Sequence, residues 1–368
     1  MKNKLLATVP VVALAFALSA PAGAVKLKIG GFIDKHFGFG TNDDAYESGQ
    51  ANREIKWDVK DDSEIQFTAS GKLNNGLSVK GRMELEGGHH LSSDPVDETW
   101  LSISGSFGQI ILGTHDLPAA RLNKPQEGSL NGAGPALEYN IGNWISKPST
   151  VSTEGSAHAD TSSDGDGISY ISPRVNGVQF GVGYAAMATQ DSNSKAVASG
   201  DHDHLSLGVN YSTKTAGMKV VVGAGVAKAK SAGLSDGDDP FEHVYGVKVT
   251  SGAIEVAASY FERDDRSTSS ATDAAAGSEV YEFGVRYTMG GNKFAFVMSD
   301  ATNNSSNNTA AKDDKSREYG LSMSRSLGKG ATWHASYFLS DHDNGASGAA
   351  SSTSNSGYAV VTGVKIKF

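Results

Sequence analysis

The sequence predicts an all-β fold: one antiparallel transmembrane β-barrel of sixteen strands. Apolar residues recur at every second position, short and long connections alternate from end to end, and the chain finishes on an alternating strand. Period two is the mark of a strand, because successive side chains point to opposite faces. Leu27, Ile29, Ile33, Phe37 and Phe39 alternate with Lys28, Asp34 and His36. Leu77, Val79, Met83 and Leu85 alternate with Ser78, Lys80, Arg82 and Glu84, and the runs Tyr281–Met289 and Tyr358–Phe368 repeat the pattern. Such strands of about 9–11 residues are long enough to cross an outer membrane at a tilt. A soluble sandwich shows the same alternation, so the period alone does not choose between the two.

The connections do choose. Tight links lie at Leu73–Gly76, Gly105–Gly108, Pro173–Gly177, Thr213–Gly217, Ser251–Gly252, Met289–Asn292 and Gly328–Gly330. Between them come long polar stretches: Thr41–Ala51, Gly88–Pro95, His115–Gly165, Ala186–Asp203, Lys230–Pro240, Arg263–Gly277, Ala301–Lys315 and Asp341–Asn355. Seven short turns and eight long loops make sixteen strands, with both ends on the short-turn side, which is the plan of an outer-membrane barrel. The prolines after residue 24 all fall in these links, where no ladder hydrogen bond is lost.

Composition narrows the function. The 368 residues include 44 glycines and no cysteine, which removes disulfides, thiolate metal sites and cysteine nucleophiles. Acids outnumber Lys and Arg by 41 to 32, so nucleic acid is not an expected partner. Residues 1–24 read as a signal peptide: Lys2 and Lys4, an apolar run, then Ala22-Gly23-Ala24. Cleavage between Ala24 and Val25 leaves one domain, the barrel of residues 25–368. Its net charge is about −11 rather than −9, because two lysines leave with the leader. No later stretch approaches the ~18 apolar residues of a membrane helix.

More specific likenesses lie within the strands. Asp62–Phe67 followed by Leu73-Asn74-Asn75-Gly76-Leu77, then Asp97–Ile103 into Gly105-Ser106-Phe107-Gly108-Gln109, stand in order with Ile168–Arg174 and Gly177–Phe180. Together with the final Gly363-Val364-Lys365-Ile366-Lys367-Phe368, these segments resemble the Gram-negative general porins. The resemblance implies a sixteen-stranded antiparallel transmembrane β-barrel with a long third loop folded into the pore. It also implies a homotrimer in outer-membrane lipid and lipopolysaccharide, through which small hydrophilic solutes diffuse passively. The terminal Phe368 would be the signal read by the barrel-assembly machinery.

Alternation puts one set of charges inside. A charge facing lipid at mid-membrane costs about 2–4 kcal/mol, so the apolar set faces out. The candidate basic pore wall is Lys28, Lys72, Lys80, Arg82, Lys365 and Lys367, while Gly181, Gly183, Gly223, Gly225 and Ala257 leave open space. The longest connection, His115–Gly165, is third in order, where the resemblance places a constriction. Its candidate residues are Asp116, Arg121, Glu127 and Glu138, and it holds Trp144 and four prolines. Acid on the loop opposite bases on the wall would set up a transverse field across the passage.

Neither a cofactor nor a metal is expected. The clusters Asp201-His202-Asp203-His204, Gly88-His89-His90 and Asp341-His342-Asp343 sit in loops without fixed ligand geometry. No nucleophile elbow, phosphate loop or helix-borne metal motif occurs, so an enzyme is not expected. Three alternatives stay open. One is an anion- or sugar-selective channel of the same fold, for which the inward Trp100, Phe261 and Phe338 are scattered rather than laddered. Another is an outer-membrane hydrolase barrel, although His334 with Ser336 or Ser340 faces inward. The last is a secreted all-β adhesin.

Overall fold

The computed structural model describes residues 25–49, 56–87, 96–123, 142, 144–162, 165–188, 200–232, 239–264, 277–303, 313–345 and 353–368. The expected signal peptide, Glu127 and Glu138 therefore lie outside the described residues. Seventeen strand segments form one antiparallel sheet. They begin with β1 (Lys26–Gly40), β2 (Trp57–Asp61), β3 (Glu64–Lys72), β4 (Ser78–Glu86), β5 (Val96–Gly105) and β6 (Gly108–Thr114). They continue with β7 (Asp166–Ile171), β8 (Val178–Met187), β9 (Gly200–Thr215), β10 (Met218–Ala232), β11 (Phe241–Ser251) and β12 (Ile254–Arg263). The circuit ends with β13 (Ser278–Met289), β14 (Asn292–Asn303), β15 (Asp314–Gly328), β16 (Ala331–Asp343) and β17 (Asn355–Lys367). Two short helices are described, α1 (Asp44–Gly49) and α2 (Pro118–Arg121).

Apart from β2 and β3, which do not pair with each other, each strand pairs with its sequence neighbour, and β17 pairs with β1 from Phe32↔Lys367 to Gly40↔Ala359, so the sheet closes. Both β2 and β3 pair with β1, over Phe39↔Trp57 to Lys35↔Asp61 and over Phe32↔Glu64 to Lys26↔Ser70. They are two halves of one pass, and the barrel has sixteen passes as the sequence predicts. The break falls at Asp62-Ser63, opposite Ile33-Asp34, and next to it Gly31, at φ +146, pairs with Ile65 where a Cβ would run into the carbonyl of Glu64. Its polar groups are met locally. Asp62 N donates to Asp34 O at 3.0 Å, and Asp34 N donates to Ser63 Oγ at 3.2 Å.

The seven short turns lie where the sequence places them. Ala216-Gly217 and Lys329-Gly330 carry left-handed backbone at both central residues, which suits the twist of two-residue hairpins. Several strands are longer than 9–11 residues, with Gly200–Thr215 at 16 and Lys26–Gly40 at 15. The ladder outlasts the membrane-crossing length because its hydrogen bonds continue toward the long connections, as at Lys230↔His202.

The alternation sorts side chains as expected. Leu27, Ile29, Ile33 and Phe37 stand out from the sheet and are exposed, while Asp34 and His36 between them are buried. Buried apolar clusters form inside the barrel, between its wall and the third long connection. The core of this protein is therefore on the lumen side of its sheet.

Candidate functional site

The barrel interior is built by the wall and by residues 115–123 and 144–162 of the third long connection. Leaving β6, the chain turns at His115, whose Nδ1 and Nε2 lie 2.8 Å from Gly113 O and Ser169 Oγ. Burial holds this imidazole below the usual histidine range. Leu117 and α2 then lie on the inward faces of β7–β11. The fit depends on missing side chains: a Cβ on Gly181 or Gly183 would meet Pro118, on Gly208 the carbonyl of Pro118, and on Gly225 the backbone of Ala119. Ala119 N donates to Ser206 Oγ at 2.8 Å, and Asn210 Nδ2 donates to Leu122 O at 3.3 Å. The small inward residues expected to leave open space are instead a bed for the loop. Glycine inside a strand often marks such a close backbone approach, and these glycines are the signal of the bed in the sequence.

The connection returns to the wall on the far side of the closure. Trp144 packs over Gly38 and Gly40, and Ile145 over Gly357, in a buried cluster with Val297, Phe338, Ala359 and Val361. Lys60 Nζ sits 5.7 Å from the centre of the Trp144 ring. The chain then follows the inner wall back. Ser152 N donates to Asp314 Oδ2 at 2.9 Å, and Thr153 Oγ1 lies 2.6 Å from Ser316 Oγ. Glu154 pairs with Arg263, whose Nη2 and Nε also hold Glu242 Oε1 at 2.6 and 2.8 Å. Ala157 and Ala159 close against Ala119, Ala227, Val244, Phe261, Val280 and Ala301.

Two titratable groups on this path are perturbed. Burial pushes the Asp160 carboxyl up to about 6, although Ser162 donates to Oδ1 from both N (2.9 Å) and Oγ (2.6 Å). Burial also lowers Lys147 from the ordinary lysine range, partly offset by Glu318, Glu154 and Asp314. Asp116 is half exposed, and its Oδ1 lies 3.9 Å from His158 Nε2. Arg121 is half buried at the end of α2.

The six basic wall residues all face inward, but they do not form a bare positive surface. Arg82 is paired with Glu84 and lies 3.6 Å from Glu64, both on the wall itself. Lys365 Nζ lies 3.3 Å from Asp34 and 3.8 Å from Asp62. Lys80 Nζ sits 5.2 Å from the Trp100 ring centre, and Trp100 Nε1 donates to Glu98 at 3.1 Å. Lys28, Lys72 and Lys367 are exposed near the short-turn end. Among the described residues, the contacts of this connection fall on β5 to β17 and on β1 and β2.

A closed sixteen-pass barrel with an apolar exterior and a charged interior defines a membrane-spanning passive channel. The model of the Gram-negative porin family matches residues 7–345, and the chain belongs to that family. It is a multi-pass β-barrel of the outer membrane and works as a passive channel. Solved structures of similar fold include an anion-selective porin from Comamonas acidovorans, at TM-score 0.63 and 14% identity over 94% of this chain and 100% of that one. OmpT of Vibrio cholerae lacking loop L8, an outer-membrane protein, gives 0.60 and 13% over 94% and 100%. The outer-membrane channel DcaP of Acinetobacter baumannii gives 0.60 and 12% over 94% and 97%. No curated protein matches the sequence.

Proposed function

We propose that the protein is a general diffusion pore for ions and small hydrophilic solutes. Its narrowest part is bounded by the 115–165 connection on one side and by β3 and β4 on the other. The observation that carries this reading is the seating of Leu117–Asn123 on the glycine-lined inner wall, with Asp116, Arg121 and the wall residue Arg82 all within electrostatic reach of Glu98. Interleaved charges of both signs suit hydrated solutes and make no tight ion site. The chain acts without catalysis: His342 lies 2.7 Å from Ser340 Oγ and 2.9 Å from Ser316 Oγ, a buried polar contact of the wall rather than an exposed nucleophile.

The pore works as a homotrimer. Lys35 and Asp61 pair on the outer face between Ile33 and Phe37, and a neighbouring copy would take this charged pair out of lipid. Residues 1–24 are a signal peptide cut between Ala24 and Val25. Phe368 addresses the chain to the barrel-assembly machinery, and lipopolysaccharide surrounds the outer rim. Planar-bilayer recording tests the pore. Stepwise conductance proportional to bulk salt, with a small reversal potential, supports a diffusion pore. Conductance saturating at low concentration of one solute would replace it with a selective channel.

A further inference from the structure

We propose that Asp34, His36 and His334 form a binding site for a divalent first-row transition-metal ion, of the class of Zn2+, at the closure of the barrel. The three side chains are nearly fully buried on the lumen side of the sheet, with one ligand atom from each lying within 4.8 Å of the others. Asp34 Oδ1 lies 2.9 Å from His36 Nε2 and 2.9 Å from His334 Nε2. Ligand atoms about 2.0–2.2 Å from a common tetrahedral centre stand about 3.3–3.6 Å apart, so the carboxylate and rings would separate by roughly half an ångström to take an ion.

The rings come from strands that do not pair with each other. His36 is on β1 and His334 on β16, and both are level with Gly363 on the intervening β17. A Cβ on Gly363 would lie 2.6 Å from His334 Cε1 and 2.9 Å from His36 Cδ2. Its absence lets the imidazoles meet edge to face, with centroids 5.0 Å apart. The arrangement leaves polar atoms unsatisfied. His36 Nε2 makes no hydrogen bond despite its short distance to Asp34, and His334 Nδ1 has no partner either. An unpaired buried nitrogen costs free energy, and for His36 a metal ion would remove that cost.

The surrounding charge admits a cation. Lys365 Nζ engages Asp34 Oδ2, leaving Oδ1 to the histidines, and Asp62 offsets the lysine from its other side. Two imidazoles and one carboxylate suit zinc and its neighbours, whereas Ca2+ and Mg2+ require more oxygen ligands. With three protein ligands, a water molecule would supply the fourth position of a tetrahedron. Bound there, the ion would tie the first strand to the penultimate one across the last.

The test uses the untagged, folded protein in detergent, stripped with chelator and titrated with Co2+. The proposal expects about one equivalent bound, with the visible absorption of a low-coordinate nitrogen–oxygen site, displaced by Zn2+ but not by excess Ca2+. Loss of a supporting partner alone weakens metal sites 10–100-fold, so His36→Gln and His334→Gln should each weaken binding at least about tenfold. His158→Gln, which alters the more exposed Asp116–His158–Asp160 group, should leave binding unchanged. Absence of the cobalt band from the parent protein overturns the proposal without any variant having to fold. Retention of the band in His334→Gln, or its loss in His158→Gln, overturns it as well.

Discussion

Phe368 and Gly31 exchange backbone hydrogen bonds, Phe368 N to Gly31 O at 3.1 Å and Gly31 N to Phe368 O at 3.2 Å. The last residue of the chain is thereby fixed to the first strand, beside the break that divides the second pass. A membrane barrel must close in this way, because lipid offers nothing to an unpaired strand edge.

Deleting Phe368 removes both bonds and the outward ring together. Folded, heat-modifiable barrel in outer-membrane fractions should fall sharply, while export and leader removal continue. Gel migration of unheated samples measures the first, and amino-terminal sequencing beginning at Val25 measures the second.

Filling the loop's bed should widen the passage. Gly208→Val places carbon where the Pro118 carbonyl lies, and overpacking of this kind costs about 1–3 kcal/mol. The connection is anchored less firmly than the ladder, so it should yield first. Single-channel conductance should rise, whereas the outward substitution Ala224→Val should leave it unchanged.

Neutralising Lys80 and Arg82 should move the reversal potential toward cations. Arg82 counters Glu64 and Glu84, so its loss leaves wall carboxylates uncompensated. The shift should be largest at low salt, because screening shortens from about 30 Å at 0.01 M to about 8 Å at physiological ionic strength. Identical potentials for parent and double variant at both salts would place these residues away from the narrowest part.

Asp160 gives a pH dependence of fixed sign. Its carboxyl is raised from 3.8 to about 6, so the fold favours the protonated form. That contribution is complete below the unfolded value and disappears as pH rises through about 6. Anchoring of the loop should therefore be firmer near pH 4 than near pH 7. Ionisation beside Asp116 and His158 should also shift selectivity toward cations over the same interval. Comparison with Asp160→Asn isolates this group, since the variant should lack the Asp160 step in both loop protection and reversal potential.

Much of the barrel is legible because its rule is local. Leu27 to Phe39 and Tyr281 to Met289 declare their faces through side-chain parity, and Ala216-Gly217 declares its turn through composition. Parity gives the side on which a residue stands but not what covers it. Gly181, Gly183 and Gly225 fall inward by parity, yet their neighbours come from a connection without periodicity. Separation in sequence hides the rest. His36 and His334 are 298 residues apart and meet only because β1, β16 and β17 close the ring. Lys365 reads as a bare base because Asp34 comes beside it only through strand register, as Glu64 does beside Arg82, whereas Glu84 shares the inward face of β4 with Arg82 by parity alone.

Because its apolar core lies within the cylinder, this molecule draws mechanical robustness and throughput from the same volume. Enlarging Ala119, Ala157 or Ala159 would compete for space with the traffic the barrel carries. Greater durability has to come from elsewhere: from the hydrogen-bonded staves, from the outward girdle, or from contacts between copies. The interior is left to be tuned for what passes, and its tolerance for bulk is set by flux rather than by folding.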